Sequence, residues 1–267
     1  MEYTITPKEF EQFRALIYRE SGISLNDNKQ VLLVSRLSKR LRTLQLDSFQ
    51  AYYDLIAGQK DGDEFTMLLD LVSTNKTDFF REPKHFDFLR DQILGNHRPD
   101  HPFRVWSAAS STGEEPYSIA MTLAERLGEG YWDVLGSDLS SRALDRARVG
   151  HYSMNRAKDI PKQLLAKYCL KGIESQEGTF LIDQNLKSRV NFMQINLNFP
   201  LPKIGEFDVI FIRNVMIYFD APTKKQVMDR IVSCLRRQGH LIIGHSESLN
   251  GVCEKLRVVR PSIYRKP

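Results

Sequence analysis

The sequence predicts an α/β protein: a small all-helical N-terminal domain, then a Rossmann-like doubly wound domain carrying a small inserted antiparallel β-subdomain. Three observations predict it. Up to residue 72 the hydrophobic pattern has helical period only. Beyond about residue 100, strand-like and helix-like stretches alternate, the mark of a parallel sheet covered by helices. Between about 150 and 189 the alternation breaks into short runs punctuated by Gly172 and Gly178.

Pro7 to Glu20 is periodic, with Phe10, Phe13, Ile17 and Tyr18 on one side. Lys29 to Leu46 is amphipathic, with Leu33, Leu37, Leu41 and Leu44 three or four residues apart. Gly58 and the acidic DGDE run end a further helix, and Glu64 to Val72 starts another. FRVWSA then reads as a strand and PYSIAMTLAERLG as a helix. YWDVLGSD and SSRALDRAR repeat the pair. RVNFMQIN and FDVIFIRN are strands, APTKKQVMDRIVSCLRR a helix and HLIIGH a strand. KYCLKG, GTFLID and KSRVNF supply the short strands of the insert. The expected division is a helical domain over 1–73, a linker over 74–90 that contributes to the active site, and the α/β domain over 91–267 with its insert at about 150–189.

The 267 residues are 42% hydrophobic and 27% charged, an ordinary globular composition. A net charge of +5 biases partners toward anionic surfaces without naming one. Cys169, Cys234 and Cys253 are odd in number and lack CxxC spacing, which fits a reducing cytoplasm better than a disulfide scaffold. The start, MEYTITPKEFEQF, lacks a signal peptide's basic and apolar regions. No apolar run approaches the roughly 20 residues of a membrane span, so membrane insertion is not expected.

Ligands of open α/β sheets sit outside the carboxyl ends of the strands. Asp138 ends the second strand, where an acid accepts from ribose hydroxyls or caps the next helix, a task Ser140 could equally take. The first strand runs into SAASSTGEEPYS, with one glycine, Gly113, and two acids, Glu114 and Glu115. Their charge would repel a pyrophosphate and suits a cationic nucleoside, S-adenosylmethionine; the alternative is that they only complement a helix dipole. In TNKTDFFREPKHF, Phe79 and Phe80 are expected to pack, with Arg81 beside Asn75 and Thr77, in a binding segment or a plain linker. Arg213 closes the fourth strand and needs a partner if buried; a ligand carboxylate would be one. Tyr218 lies five residues on, in the crevice or the core. On the second helix Lys29, Arg36 and Arg40 form a basic stripe that Lys39 and Arg42 extend, a docking face for an acidic helix or a solvated flank. The spacings show no Ser-His-Asp, Cys-His or metal-ligand set; Pro99 separates His97 from His101.

Taken together, TNKTDFFREPKHF, RVWSAASSTGEEPYS, the GSD at Asp138, IRNVMIYF and GHSES closely resemble the bacterial chemotaxis receptor methyltransferases, over nearly the whole chain. The resemblance implies a methyltransferase fold and transfer of a methyl group from S-adenosylmethionine to receptor glutamates, giving methyl esters and S-adenosylhomocysteine for sensory adaptation. It implies cofactor contacts by Asn75, Thr77, Arg81, Glu115, Asp138, Asn196, Leu197, Arg213 and Asn214, with Arg81 and Tyr218 assisting transfer. The implied partner is the cytoplasmic helical domain of the receptors; in some members the β-subdomain also binds a short receptor C-terminal peptide. Rival readings are a nucleic-acid methyltransferase and a cofactor-sensing scaffold. Against the first, RNVMIYF stands where many base methyltransferases carry an Asn/Asp-Pro-Pro-aromatic motif, so nucleic acid is not an expected partner.

Overall fold

The computed structural model describes residues 3–58, 62–73, 76–96 and 101–267. Helix α1 (Pro7–Ser21) begins at a capping box: the Thr6 hydroxyl accepts from the Glu9 amide at 3.2 Å, and the Glu9 carboxylate accepts from the Thr6 amide at 2.8 Å. It ends at Gly22, in the left-handed conformation. Phe10, Phe13, Leu16 and Ile17 are buried. Tyr18, expected with them, turns off the edge of that stripe; it is 39% exposed, and its hydroxyl donates to Asp220 at 2.8 Å. Helix α2 (Gln30–Thr43) buries Leu33, Leu37 and Leu41. Helices α3 (Phe49–Ala57) and α4 (Asp63–Val72) complete this core, in which the Phe13 ring lies 5.5 to 6.3 Å from those of Phe49, Tyr52 and Tyr53.

Helix α5 (Lys84–Phe88) follows the linker and continues through a π turn at Leu89–Ile93. The alternation then appears: β1 (Phe103–Ala108), α6 (Glu114–Leu127), β2 (Trp132–Asp138) and α7 (Ser141–Val149). The insert comprises β3 (His151–Ser153), α8 (Lys162–Tyr168), β4 (Cys169–Lys171), β5 (Thr179–Ile182) and α9 (Gln184–Lys187). The chain returns as β6 (Val190–Gln194), β7 (Phe207–Ile212), α10 (Ala221–Ser233), β8 (Leu235–Ile243), β9 (Arg257–Arg260) and β10 (Ile263–Arg265).

The seven-stranded sheet has the order β6-β2-β1-β7-β8-β10-β9. Its first five strands are parallel; β10 and β9 add antiparallel. Alternate strand residues feed two cores. Val105, Val134, Val209 and Ile242 face α6 and the insert, whereas Trp106, Leu135, Ile210 and Leu241 face α10. The insert is a separate antiparallel sheet ordered β3-β5-β4.

Three expectations need correction. The last helix stops at Ser233 rather than Arg237, because Leu235 already pairs with Phe207 through an irregular register. KSRVNF does not belong to the insert: Val190–Gln194 is the edge strand of the large sheet, and His151–Ser153 takes its place. KYCLKG begins in a helix, since α8 runs to Tyr168 and only Cys169–Lys171 is strand.

Candidate functional site

The chain leaves β1 toward β2 and β6 on one side and returns to β7 and β8 on the other. The switch point therefore lies between β1 and β7, where open sheets of this kind bind ligands. The loop after β1 is bent by left-handed residues: Ala109 (φ 67°), Ser111 (φ 49°) and Gly113 (φ 98°). Any Cβ at Gly113 would stand 2.9 Å from the Ala147 Cβ and the Tyr152 hydroxyl, so only glycine fits. Clustering of non-glycine residues in this region marks backbone held by its surroundings rather than by preference.

The two acids at the start of α6 part company. Glu114 accepts from the Thr112 hydroxyl at 2.6 Å and pairs with Arg156 of the insert. Arg156 also binds the Thr77 carbonyl and the Asp78 carboxylate, tying the insert to the linker. Glu115 faces the sheet, accepting from the Ser107 hydroxyl at 2.7 Å and from Arg213 Nη1 at 2.7 Å.

Arg213 thus finds protein partners, where a ligand carboxylate was one candidate. Besides Glu115 it binds Glu82 Oε2 at 3.0 Å and the Arg81 carbonyl. Its side chain is 2% exposed, so both carboxylates are needed to offset its desolvation. Glu82 sits at φ 60° and follows Phe80 at φ 50°. Phe79 and Phe80 are buried, and the Phe80 amide donates to the Ser118 hydroxyl at 2.9 Å. Asn214 (φ 58°) starts a turn that Glu247 holds, accepting from the amides of Asn214 (2.9 Å), Met216 (2.9 Å) and Gly244 (2.7 Å). A Cβ at Gly244 would lie 2.5 Å from Asn214 Nδ2 and 2.9 Å from Glu247 Oε2, so a larger residue there would displace those two side chains.

At the end of β2, Asp138 is buried, accepting from the amides of Ser111 (2.8 Å) and Ser140 (2.9 Å). Burial raises its pKa above the ordinary carboxylate value, against those amide bonds. Ser140, not Asp138, caps α7 through the Ala143 amide. The carboxylate keeps lone pairs for further donors. Asn196 donates to the Glu20 carbonyl at 2.6 Å, and the backbone at Tyr218 accepts from Ser24 at 2.8 Å. Both contacts close the crevice with the helical domain. Arg81 Nη1 donates to the Lys76 carbonyl at 3.2 Å.

Thr77, Arg81, Glu115, Asp138, Asn196, Leu197, Arg213, Asn214 and Tyr218 all line this one crevice. Asn75 lies outside the described residues. The basic stripe divides differently. Arg36 is drawn inward to the carbonyls of Leu71, Val72 and Ser73, and Arg40 pairs with Glu64. Lys29, Lys39 and Arg42 stay exposed. Sequence reasoning missed Glu82, Glu247 and Arg156; the demand of a buried arginine or an unpaired strand-end amide for a partner was the signal that could have found the acids. It also missed that Glu82, His85 and His245 converge. Burial first, then Arg213, pushes the His85 pKa down to about 3.

The crevice suits a cationic nucleoside. Asp138 offers a fixed carboxylate, while Leu139, Ile195, Leu197 and Val215 offer apolar surface for a base. Comparison with known proteins agrees. Residues 75–264 match the SAM binding domain of CheR methyltransferases and residues 8–73 match their all-alpha domain. A chemotaxis protein methyltransferase 2 of Pseudomonas aeruginosa is 40% identical over 266 residues, 98% of this chain and 94% of the relative. The chemotaxis protein methyltransferase of Salmonella typhimurium is 38% identical over 97% of this chain and 90% of its own length. That of Borreliella burgdorferi is 36% identical over all of this chain and 96% of its own. The chain belongs to the CheR family of S-adenosylmethionine-dependent chemotaxis methyltransferases.

Proposed function

We propose that the crevice between the linker, the strand ends and the helical domain carries methyl transfer to glutamate side chains of chemoreceptors, with Arg81 and Tyr218 at the receptor side. The observation that supports it is the convergence of Arg81, Tyr218 and Asp138 on one crevice from three distant stretches of chain. When bound, S-adenosylmethionine supplies an electrophilic methyl group on a sulfonium and departs as S-adenosylhomocysteine. Asp138 would hold its ribose hydroxyls; Leu197 and Ile195 would cover its base. Glu115 is already engaged by Arg213, so in this reading the pair acts together, Arg213 fixing the carboxylate beside the cofactor site.

A substrate glutamate, with an ordinary pKa of about 4.3, is ionised at neutral pH and needs no general base. The remaining work is alignment and exclusion of water. Arg81 would hold the carboxylate without exchanging a proton. Tyr218 would donate a hydrogen bond where charge shifts during transfer. Tyr218→Phe tests this: kcat for receptor methylation should fall about five- to tenfold, the worth of one hydrogen bond, with S-adenosylhomocysteine affinity unchanged. An unaltered kcat would remove Tyr218 from the reading.

The finer partners follow the same reading. Chemoreceptor substrates imply action at the cytoplasmic face of a membrane; among the described residues no helix is long and apolar enough to cross one. The receptor C-terminal peptide would meet the insert, where Leu170 on β4 is 54% exposed beside Ile173 at 72%. An extended peptide adding to the β4 edge would cover both.

A further inference from the structure

The linker and the loop after β8 meet at a cluster that methyl transfer does not use. Glu82, His85 and His245 each bring one ligand atom within 4.8 Å of the others. His85 is 1% exposed, while His245 is exposed, its ring centroid 4.7 Å from that of His85.

Hydrogen-bond arithmetic fixes the state of His85. The Ser262 hydroxyl lies 2.6 Å from the Pro261 carbonyl and 2.8 Å from His85 Nε2. A hydroxyl has one proton, and a carbonyl can only accept. The hydroxyl therefore donates to Pro261, and Nε2 carries a hydrogen and donates to Ser262. That leaves a lone pair on Nδ1, a buried atom with no hydrogen-bond partner. It faces Glu82 Oε2 at 3.4 Å. Oε2 already accepts from Arg213 and from the His245 amide, so Nδ1 is the unsatisfied atom of the pair, and a cation bound there would share the carboxylate with Arg213. Ligand atoms around a tetrahedral zinc ion lie about 3.4 Å apart, given bonds of roughly 2.1 Å. The separation between Nδ1 and Oε2 is already of that size. Arg213 pairs with Glu82, but Glu82 and Glu115 together carry two negative charges against its one.

We propose that Glu82, His85 and His245 bind a divalent cation of the zinc class, fastening the linker that carries Arg81 to the loop after β8. Two imidazoles and a carboxylate suit zinc in preference to magnesium or calcium, and leave a fourth position for water.

Zinc titration of the purified chain against a chromophoric chelator tests this directly, and independently of any methyl transfer. The wild-type chain should take up a single equivalent. His245→Ala, at an exposed position that leaves the core intact, should weaken uptake about tenfold or more, and His151→Ala, at an exposed histidine away from the cluster, should not. Magnesium should not compete. Absence of zinc uptake by the wild-type chain would overturn the proposal, leaving only a proton between His85 and Glu82. Equal uptake by the His245→Ala and wild-type chains would overturn it as well, by placing the metal elsewhere.

Discussion

Asp138 and Arg213 represent two ways of keeping a charge inside a protein. Asp138 is held by backbone amides and keeps acceptor capacity for a ligand. Asp138→Asn should therefore weaken S-adenosylhomocysteine binding by about 10- to 100-fold, the range for a hydrogen bond to a charged group, as measured by calorimetry. Arg213 is held by two carboxylates and is chiefly a brace. Arg213→Met would leave Glu82 and Glu115 without their shared partner, destabilising the fold by about 3–5 kcal/mol in denaturant unfolding. A loss of cofactor affinity with unchanged stability would instead make Arg213 a ligand contact alone. The sequence carried the first of these residues better than the second. An acid at a strand end is legible by position, whereas the partners of Arg213 come from residues 98 and 131 positions away.

At the scale of elements, α2 separates packing from docking. Its leucines were readable from their spacing, but spacing could not say which basic side chains would turn inward. Arg36 and Arg40 bond within the helical domain, so reversing their charge would test its folding rather than its partners. The exposed Lys29, Lys39 and Arg42 carry the docking prediction. Changing all three to Glu should raise KM for receptor methylation severalfold and leave S-adenosylhomocysteine affinity unchanged; an unaltered KM would assign docking to another surface. The insert shows the opposite limit of legibility. Strands of three or four residues carry too few alternations to fix a register, and β3 was hidden behind the helix that precedes it. The exposed strand β9 was missed for a similar reason: short and charged, it belongs to the sheet only through its pairing with β10.

For the molecule as a whole, the central sheet was legible because long apolar runs must be buried on both faces. The closure of the crevice was not, because it depends on contacts such as Asn196 with Glu20 and Arg156 with Thr77, which join distant segments. Global stability also carries a pH signature. Burial first, then Arg265, lowers the His240 pKa from 6.5 to about 4. The folded state thus resists a proton that the unfolded chain accepts, so this contribution is complete above about 6.5 and declines as pH falls toward about 4. His240→Gln should flatten the stability profile across that window, measured by thermal unfolding; an unchanged slope would assign the acid sensitivity to other groups.

In the proposed reaction the crevice makes carboxyl methyl esters on receptor glutamates. Its most direct test mixes the purified chain with methyl-labelled S-adenosylmethionine and receptor-bearing membranes, then treats the labelled receptors with base. Label should be released as volatile methanol. Label that resists base, or no label where cofactor binding is confirmed and cognate receptors are present, would contradict it.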